Sequence, residues 1–341
     1  MKKILIIGAG AMGSAFSLPC IENNNHVSIV GTHLEKKFIK NLKKNYYHKT
    51  LKSYLPRKVK ILDYQNLIDE LRNRPDYVVI AVSSKGIDWV CKELIKNYDK
   101  KLSLILLTKG LVNYNNKMVT ISEKINKLFQ KNGLPKQDIT SIKGPCLAAG
   151  LINKIRTSTV IANRNIVSAK KVERVITTKY YKAETSKDII GIEVLSAIKN
   201  LYAMLIGASL GLSGPNIQRN IRNKYYHNTS SSLFRESLLE MKNFTVKMNG
   251  LQETTYGLAG LGDLYVSVAG GRNSKMGYYL GLGKKYQNIK REEMKSITTE
   301  GCELALEIGP IIKKKFKRIQ FPILFALIDA ICKNQKLKIK W

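Results

Sequence analysis

The sequence predicts an α/β domain with a doubly wound parallel sheet, followed by an all-α domain. Short apolar runs alternate with helical patterns up to about residue 187, as in a parallel sheet with crossover helices. From about residue 189 the helical pattern continues with few strand signals. The chain has 341 residues, 44% of them hydrophobic, which is enough for two cores. We therefore expect an N-terminal domain over 1–187 and a helical domain over 188–341.

The first apolar run, KILII at 3–7, is followed at once by three spaced glycines. A helical pattern covers about 11–24, and a second strand pattern, HVSIVG, covers 26–31. Strand, G-x-G-x-x-G, helix and strand in this order are typical of a Rossmann-type dinucleotide site, because the glycines allow a tight turn, close approach of the pyrophosphate and close helix packing. A glycine-rich turn without a ligand is the other interpretation. The residues predicted to bind NAD or NADP here are Gly8, Gly10, Ala11, Met12 and Gly13.

The end of the second predicted strand bears on the choice between NAD and NADP. A carboxylate at this point normally binds the ribose 2′-hydroxyl and disfavours a 2′-phosphate. Gly31, Thr32 and His33 stand here instead, and the first acid is Glu35. We expect Thr32 to contact the cofactor. The two lysines that follow Glu35 leave NADP open, unless they belong to a solvated helix face.

Two further apolar runs, at 76–84 and 102–110, predict strands of the same sheet. Ligands of doubly wound sheets lie at the carboxyl ends of the strands. Lys109 lies at such an end and is a candidate site residue, although by position alone an ordinary solvated lysine is an equally good interpretation. The polar sequence ETSKD at 184–188 is interpreted as a connector between the domains.

One apolar helix is predicted over 189–212, and it contains a lysine. Burial of a lysine is costly unless it is paired, and burial lowers a lysine's pKa toward values at which it exchanges a proton near neutrality. This lysine is therefore either a functional buried group or one whose ammonium reaches the surface. The helix would present one small, polar face formed by Ser196, Lys199 or Asn200, Ala203 and Gly207.

Residues 257–273, GLAGLGDLYVSVAGGRN, place a glycine cluster inside a helix-rich region. Such a cluster marks backbone that turns sharply or approaches a ligand, or else a mobile linker. Together with five other landmarks, this segment resembles the NAD(P)-dependent glycerol-3-phosphate dehydrogenases. The other landmarks are GAGAMG at 8–13, TKG at 108–110, KGPCLAAG at 143–150, SAIKNLYA at 196–203 and TTEG at 298–301.

The resemblance implies interconversion of glycerol 3-phosphate and dihydroxyacetone phosphate, and therefore a small phosphorylated substrate, in the supply of glycerophospholipids. It also implies a homodimer. Lys199 matches the family's acid-base lysine, Asp263 matches the acid beside it, and Lys109 would line the same pocket as a third catalytic residue. Substrate contacts are implied for Lys109, Asn200, Ser267, Arg272 and Asn273. Further cofactor contacts are implied for Lys109, Arg272 and Glu300.

The chain departs from the family pattern at three places. Gly150 stands where the Gly-Pro segment usually ends with an acid, Leu195 and Ser196 replace two glycines, and Ser83 replaces a proline. The proton-transfer and anion-binding residues implied by the resemblance remain. We therefore expect a divergent but active enzyme.

Charge and cysteine content limit which other binding partners and which cell compartment are expected. The 58 Lys and Arg against 25 Asp and Glu give a net charge of +33, which is spread along the chain as an AT-rich coding sequence would also produce. Since there is no helix-turn-helix, RNA-binding aromatic signature or zinc module, no specific nucleic acid is expected. Five cysteines without a C-x-x-C pair predict neither disulfides nor a metal site and fit the cytoplasm. Neither a signal peptide nor a membrane span is expected.

Two alternatives stay open. One is a related dehydrogenase, ketopantoate-reductase-like or 6-phosphogluconate-dehydrogenase-like, that acts on another hydroxy acid. The other is a cofactor-binding protein that has lost catalysis and holds nucleic acid on its basic surface, which predicts salt-sensitive binding and no turnover.

Overall fold

The computed structural model describes residues 1–97, 101–214 and 216–339. Its contacts divide the chain into two compact units. The first unit comprises Met1–Lys109 and Ile121–Ile189, and the second comprises Gly110–Thr120 and the described residues from Ile190 onward. The segment Gly110–Thr120 therefore groups with the second unit, although it lies inside the range 1–187 expected for the first domain.

The first unit is an α/β unit with the following elements in chain order. They are β1 (Lys3–Ile7), α1 (Ala11–Glu22), β2 (His26–Val30), α2 (Lys36–Asn45), β3 (Tyr47–His48), β4 (Ser53–Tyr54), β5 (Lys60–Leu62), α3 (Leu67–Arg72), β6 (Tyr77–Ile80), α4 (Ile87–Lys96) and β7 (Ser103–Leu106). After the segment that belongs to the second unit they continue with α5 (Ile121–Lys131), β10 (Asp138–Lys143), α6 (Ala148–Ile152), β11 (Thr157–Ala162), α7 (Ile166–Ile176) and β12 (Tyr181–Ser186).

The second unit begins with the hairpin β8 (Leu111–Tyr114) and β9 (Lys117–Thr120), and its other described elements are helical. The helices are α8 (Ile189–Gly207), α9 (Ser209–Leu212), α10 (Arg219–Tyr225), α11 (His227–Lys247), α12 (Asp263–Val268), α13 (Arg272–Gly281), α14 (Tyr286–Arg291), α15 (Glu300–Lys315) and α16 (Pro322–Cys332). A π-helical turn, Leu258–Gly262, leads into α12. The expectation of an α/β domain followed by a helical domain is confirmed.

The main sheet of the first unit has eight strands in the order β12-β11-β10-β7-β6-β1-β2-β5. All neighbouring strands are parallel except β10 and β11. Ile4 of β1 lies opposite Val27 of β2 on one side and Tyr77 of β6 on the other. The strands that follow β1 in sequence are therefore added first on one side of it and then on the other, so that the strand order reverses at β1. In open sheets a reversal of this kind opens a ligand crevice at the carboxyl ends of the strands.

The interpretation of 184–188 as a connector was wrong for its first three residues. Residues 184–186 form the end of β12, which pairs with β11 from Thr157 to Ala162. The strand is polar because it lies at the edge of the sheet and most of its side chains are not buried. An edge strand of this composition lacks the apolar run that reveals an inner strand.

Each unit has its own apolar core. In the first unit the buried strands β1 and β6 contribute Ile6 and Val79, and Phe16 packs on them from α1. In the second unit α8 is surrounded by apolar side chains of α11, α15 and α16. Among the described residues, Ile189–Leu212 is long and apolar enough to cross a membrane, but 94% of its apolar window is buried inside the protein. Core helices commonly have this composition, so the stretch does not indicate a membrane span.

Glycines bring α8 and α13 into backbone contact. A Cβ on Gly277 would lie 1.9 Å from the Met204 carbonyl oxygen, and one on Gly281 would lie 2.2 Å from that of Ala208. On α8 itself, a Cβ on Gly207 would lie 2.4 Å from the Ser274 carbonyl oxygen. The helix expected over 189–212 ends at Gly207, and α9 continues after Ala208. Close packing at these glycines fixes α13, whose first two residues, Arg272 and Asn273, are predicted site residues.

Candidate active site

The glycine-rich loop of the first unit forms an open cradle at the carboxyl end of β1. Gly8 has φ +106°, and its N–H donates to the Val30 carbonyl at 2.9 Å, which ties the loop to β2. A Cβ on Gly13 would lie 2.5 Å from the Gly8 carbonyl oxygen, whereas a Cβ on Gly10 would meet nothing within 4 Å. The first and third glycines therefore allow close packing, and the second leaves space beside the backbone.

This cradle fits the pyrophosphate of a dinucleotide. Helix α1 begins at Ala11, with Met12 next, and its N-cap Gly10 offers no side-chain acceptor to the first amides. Free amides and the positive end of the helix dipole favour an anion at this position. The residues present thus fit a nicotinamide dinucleotide, which would supply the hydride chemistry when bound.

The first acid after β2, Glu35, lies against the end of that strand. Glu35 folds back so that its Oε2 accepts a hydrogen bond from the Thr32 N–H at 2.7 Å and from the Ala9 N–H at 3.3 Å. The first acid after the strand is therefore returned to the strand end by a short 3-10 turn, His33–Glu35.

Lys109 lies three residues beyond β7, at the carboxyl end of the sheet, and is the last residue of the first unit's opening segment. The turn before it is held by the buried Lys143, whose Nζ donates to the carbonyls of Leu106 at 3.0 Å and of Thr108 at 2.9 Å. The Thr108 hydroxyl also donates to the Val82 carbonyl at 2.7 Å. Sequence reasoning missed Lys143, although it opens the KGPCLAAG landmark. It positions the backbone from which Lys109 extends.

The second unit brings Lys199, Asp263 and Ser267 together in a buried cluster. Lys199 and Asp263 are only 4% and 2% exposed, and their Nζ and Oδ1 form an ion pair. The Lys199 Nζ also donates to the Ser267 Oγ at 2.8 Å. Asp263 and Ser267 are four residues apart and therefore share one face of α12. The interpretation of Lys199 as a lysine that reaches the surface does not hold.

A second polar group lies beside this cluster, one residue further along α8. The Asn200 amide donates to Glu300 Oε2 at 3.3 Å and its oxygen accepts from the Asn273 amide at 2.9 Å. The Asn273 oxygen accepts from the Gly301 N–H at 3.0 Å. Arg272 and Glu300 are more than half exposed, with 3.6 Å between Nη2 and Oε1. All the predicted site residues of the second unit thus belong to two neighbouring groups.

The glycine-rich segment 257–273 is ordered backbone rather than a linker. A Cβ on Gly260 would lie 2.1 Å from the Thr255 carbonyl oxygen, so the π-helical turn packs against the preceding turn. Asp263 begins α12 directly after this turn. Gly271 is the N-cap of α13, in extended conformation and without a side-chain cap, and it leaves the first amides of that helix open. A π-helical turn of this kind often occurs at a functional site.

The three departures from the family pattern take no part in the contacts of Lys199 with Asp263 and Ser267. Ser196 is fully buried and donates to the Glu193 carbonyl at 3.0 Å. Gly150 lies in α6, where a Cβ would meet only Ile155 at an ordinary 3.7 Å. Ser83 is exposed at the start of a 3-10 turn. None of these residues takes part in the hydrogen bonds that hold Lys199.

The described residues hold no cluster suited to a metal ion, and two of the cysteine thiols are made unreactive by burial. Within residues 1–97, 101–214 and 216–339, no group of three or more metal-ligating side chains is suited to hold an ion. All five cysteines are free. Burial raises the pKa of Cys91 and Cys302 to about 12, which keeps these thiols protonated.

A dinucleotide cradle at the end of a doubly wound sheet and a buried lysine–aspartate pair in a helical unit together define a nicotinamide-dependent oxidoreductase. The chain belongs to the NAD-dependent glycerol-3-phosphate dehydrogenase family. The N-terminal part of that family matches residues 3–169, and the C-terminal part matches residues 188–340.

Individual relatives agree with this assignment. The chain is 31% identical over 289 residues to the NADP(+)-dependent glycerol-3-phosphate dehydrogenase of Archaeoglobus fulgidus, with 85% of this chain and 83% of the relative covered. It is 28% identical to a glycerol-3-phosphate dehydrogenase [NAD(P)+] of Mycoplasma mobile, with 99% and 94% covered. The crystal structure of a glycerol-3-phosphate dehydrogenase from Coxiella burnetii has a TM-score of 0.79 at 22% identity, with 98% and 96% covered, and shows the same fold.

Proposed function

We propose that this chain interconverts sn-glycerol 3-phosphate and dihydroxyacetone phosphate by hydride transfer with NAD(H) or NADP(H). The observation that carries the proposal is the buried Lys199 ammonium, held by Asp263 and Ser267 in a chain of this family. Family membership favours this reaction over the two alternatives, another hydroxy acid or a non-catalytic protein that holds nucleic acid.

Lys199 is proposed as the acid-base residue. When dihydroxyacetone phosphate is reduced, its ketone carbon gains a hydride and its oxygen gains negative charge. The Lys199 ammonium donates a proton to that oxygen, and in the oxidative direction the neutral amine takes the proton back. Asp263 and Ser267 hold Nζ at a fixed position, so that its charge is preorganised where the oxyanion forms.

The substrate phosphate requires cationic groups and open amides. Arg272 stands at the start of α13, where the N-cap leaves amides without a side-chain partner, and its guanidinium is exposed. Guanidinium groups and helix N-termini both bind phosphate well. By the family resemblance we assign Arg272 and Asn273 to the substrate phosphate or the cofactor pyrophosphate. The same resemblance assigns Asn200 to a substrate oxygen, Glu300 to the cofactor and Lys109 to the substrate.

The biological setting is proposed from the same resemblance. Glycerol 3-phosphate is the backbone of glycerophospholipids, so the reductive direction would supply lipid synthesis in the cytoplasm. The five free cysteines fit a reducing compartment. The family resemblance also supports a homodimer, and sedimentation equilibrium of the purified chain would give about twice the mass of 38.5 kDa if this is correct.

The first experiment follows loss of the reduced-nicotinamide absorbance with dihydroxyacetone phosphate and either NADH or NADPH. We expect turnover by the parent and a loss of at least about a hundredfold in kcat for Lys199→Ala, the size typical of a positioned acid-base group. Lys285→Ala is the matched control, because Lys285 is an exposed lysine of the same unit at the N-cap of α14. Folded protein that binds a nucleotide but does not turn over would contradict the proposed reaction.

A further inference from the structure

The Glu35 carboxylate lies in the crevice between the ends of two adjacent strands. β1 and β2 pair in parallel, with Ile7 opposite Val30, so the loops that follow them begin side by side. Glu35 Oε2 bridges these loops by accepting from the Ala9 N–H and the Thr32 N–H. Among the residues that the structure describes, Glu35 Oε1 has no hydrogen-bond partner.

The loop that meets this carboxylate is held from its other side as well. The Ala9 carbonyl accepts from the Ser14 hydroxyl at 3.0 Å and from His48 Nε2 at 3.1 Å. Because the Leu51 N–H donates to His48 Nδ1, the ring proton is on Nε2. Burial lowers the pKa of His48, which keeps the imidazole neutral in this role. The Ala9 peptide and the carboxylate beside it are therefore fixed relative to each other.

A fixed carboxylate at this position has a definite consequence for a dinucleotide. In doubly wound folds the adenosine ribose lies at the end of the second strand, where an acid accepts from the 2′-hydroxyl and repels a 2′-phosphate. The side chain of Thr32 carries no charge there, and Lys36 and Lys37 are exposed on the first turn of α2.

We propose that Glu35 makes this enzyme select NAD(H) over NADP(H). The inference rests on the proposed function, since it concerns the cofactor of that reaction. The preferred cofactor would differ from the NADP(+) in the name of the Archaeoglobus relative. Glu35 replaces the acid that other doubly wound folds carry on the strand itself. Its carboxylate reaches the same place from a 3-10 turn beyond the strand.

The variant that tests this is Glu35→Gln. Both backbone amides donate to the same oxygen, Oε2, so the glutamine oxygen can accept both hydrogen bonds while the negative charge is removed. Dissociation constants for NADH and NADPH are measured by nucleotide fluorescence, without substrate. We expect the parent to bind NADH at least about tenfold more tightly than NADPH, and the ratio to fall about tenfold or more in the variant, the size of one hydrogen bond to a charged group.

Two further measurements make the result decisive. 2′-Deoxy-NADH lacks the hydroxyl that Glu35 would accept from, so it should bind about tenfold more weakly than NADH to the parent and nearly equally to Glu35→Gln. Glu123→Gln is the matched control, because Glu123 is an exposed acid of the same unit that pairs with Lys127, and its NADH to NADPH ratio should equal that of the parent.

A parent that binds NADPH as tightly as NADH, or a ratio unchanged in Glu35→Gln, would overturn the inference. Because binding is measured without substrate, these outcomes differ from failure of the proposed function. Selective NADH binding without turnover of dihydroxyacetone phosphate would contradict the proposed reaction, and the proposed role of Glu35 in NADH selection would still hold.

Discussion

At the scale of single residues, the cluster around Lys199 explains why its three members occur together. A buried ammonium loses its hydration, and this cost is offset only if it is paired and hydrogen-bonded. Asp263 supplies the opposite charge and Ser267 a second acceptor. The Ser267 hydroxyl donates in turn to the Asp263 carbonyl at 2.7 Å, so its own proton is used and its oxygen faces Nζ. The serine thus orients the lysine as well as stabilising it.

This arrangement predicts the effect of changing Ser267. Ser267→Ala removes one acceptor from Nζ, and we expect kcat for dihydroxyacetone phosphate reduction to fall about tenfold, since a hydrogen bond to a charged group is worth roughly 1.5–3 kcal/mol and Asp263 retains part of the positioning. Ser267→Thr keeps the hydroxyl and should stay within about threefold of the parent. Steady-state kinetics with saturating nucleotide measures both.

A suitable control for Ser267→Ala is Ser232→Ala. The Ser232 hydroxyl also donates to the carbonyl four residues earlier, Asn228, but it lies on an exposed face of α11. Its removal should leave kcat unchanged. Equal losses in the alanine and threonine variants of Ser267 would show that shape at this position, rather than the hydroxyl, limits the reaction.

Sequence reasoning found the residues of this cluster because the family motifs contain them. It did not single out Glu35, because an acid that binds the cofactor ribose normally stands directly at the end of the second strand. The 3-10 turn is closed locally by a capping box between Thr32 and Glu35, and only the contact of the same carboxylate with the Ala9 N–H, 26 residues away, joins two loops. Lys143 was also missed, because its hydrogen-bond partners are backbone carbonyls at the end of another strand, which leave no pattern in the sequence.

At the scale of secondary structure, a buried acid links two helices of the second unit. Glu240 of α11 is 4% exposed, and its carboxylate accepts from the amides of Ile323 at 2.9 Å and Leu324 at 3.0 Å, at the start of α16. The Tyr202 hydroxyl of α8 donates to it at 3.1 Å. Burial raises the pKa of Glu240 to about 7 despite these donors. The acid caps α16 and titrates near neutrality.

The raised pKa of Glu240 predicts a pH dependence of stability. In the unfolded chain this acid titrates near its ordinary value of 4.5, so the folded protein binds the proton more tightly. The stabilisation is complete below that value and is lost as the pH rises through about 7, for a total of about 3 kcal/mol. Between pH 5 and pH 8 the free energy of unfolding of Glu240→Gln should therefore rise by about 3 kcal/mol relative to that of the parent, as measured by urea unfolding.

Comparing the variant with the parent at each pH cancels the titration of other groups. A glutamine cannot accept all three donors, and this constant cost lowers the stability of Glu240→Gln equally at every pH. The exposed Glu123→Gln should keep a constant difference from the parent over the same range. If the stability difference between Glu240→Gln and the parent does not change with pH, then Glu240 is charged in the folded protein throughout the range.

The elements that could be predicted from sequence are those with a local signal. The inner strands β1, β2, β6 and β7 are apolar runs and were found where expected. The polar edge strand β12 and the two-residue strands β3 and β4 lack such a run and were missed. The break in the helix over 189–212 also follows from a distant contact, the backbone packing of α8 and α13 at glycines about 70 residues apart in sequence.

At the scale of the whole molecule, the division into units depends on contacts distant in sequence. The hairpin β8–β9 lies inside the range expected for the first domain, but Leu111 and Met118 are buried in the core of the second unit. The Asn113 N–H donates to Glu307 of α15 at 3.0 Å. Nothing in the sequence near residue 113 indicates a partner about 190 positions later. The domain boundary between 187 and 188 therefore stays a prediction, and the hairpin that precedes it in sequence groups with the second unit.

The net charge of +33 is a property of the whole chain, and both reactants of the proposed reaction are anions. A strongly positive protein raises the local concentration of anions and speeds their encounter, and salt screens this effect over about 10 Å at 0.1 M. We therefore expect kcat/KM for dihydroxyacetone phosphate to fall at least about threefold as NaCl rises from about 20 to 200 mM. The value of kcat should change less than about twofold, because the Lys199–Asp263 ion pair is buried and weakly screened.

Steady-state kinetics over this salt range, repeated with potassium acetate at equal ionic strength, separates screening from binding of one particular ion. A sucrose series at constant salt measures how far encounter limits kcat/KM. If kcat/KM stays constant with salt, the positive charges are too evenly spread to guide the substrate. The basic composition would then have no part in the reaction, and capture of the phosphate would rest on the local groups at the start of α13, Arg272 and Asn273.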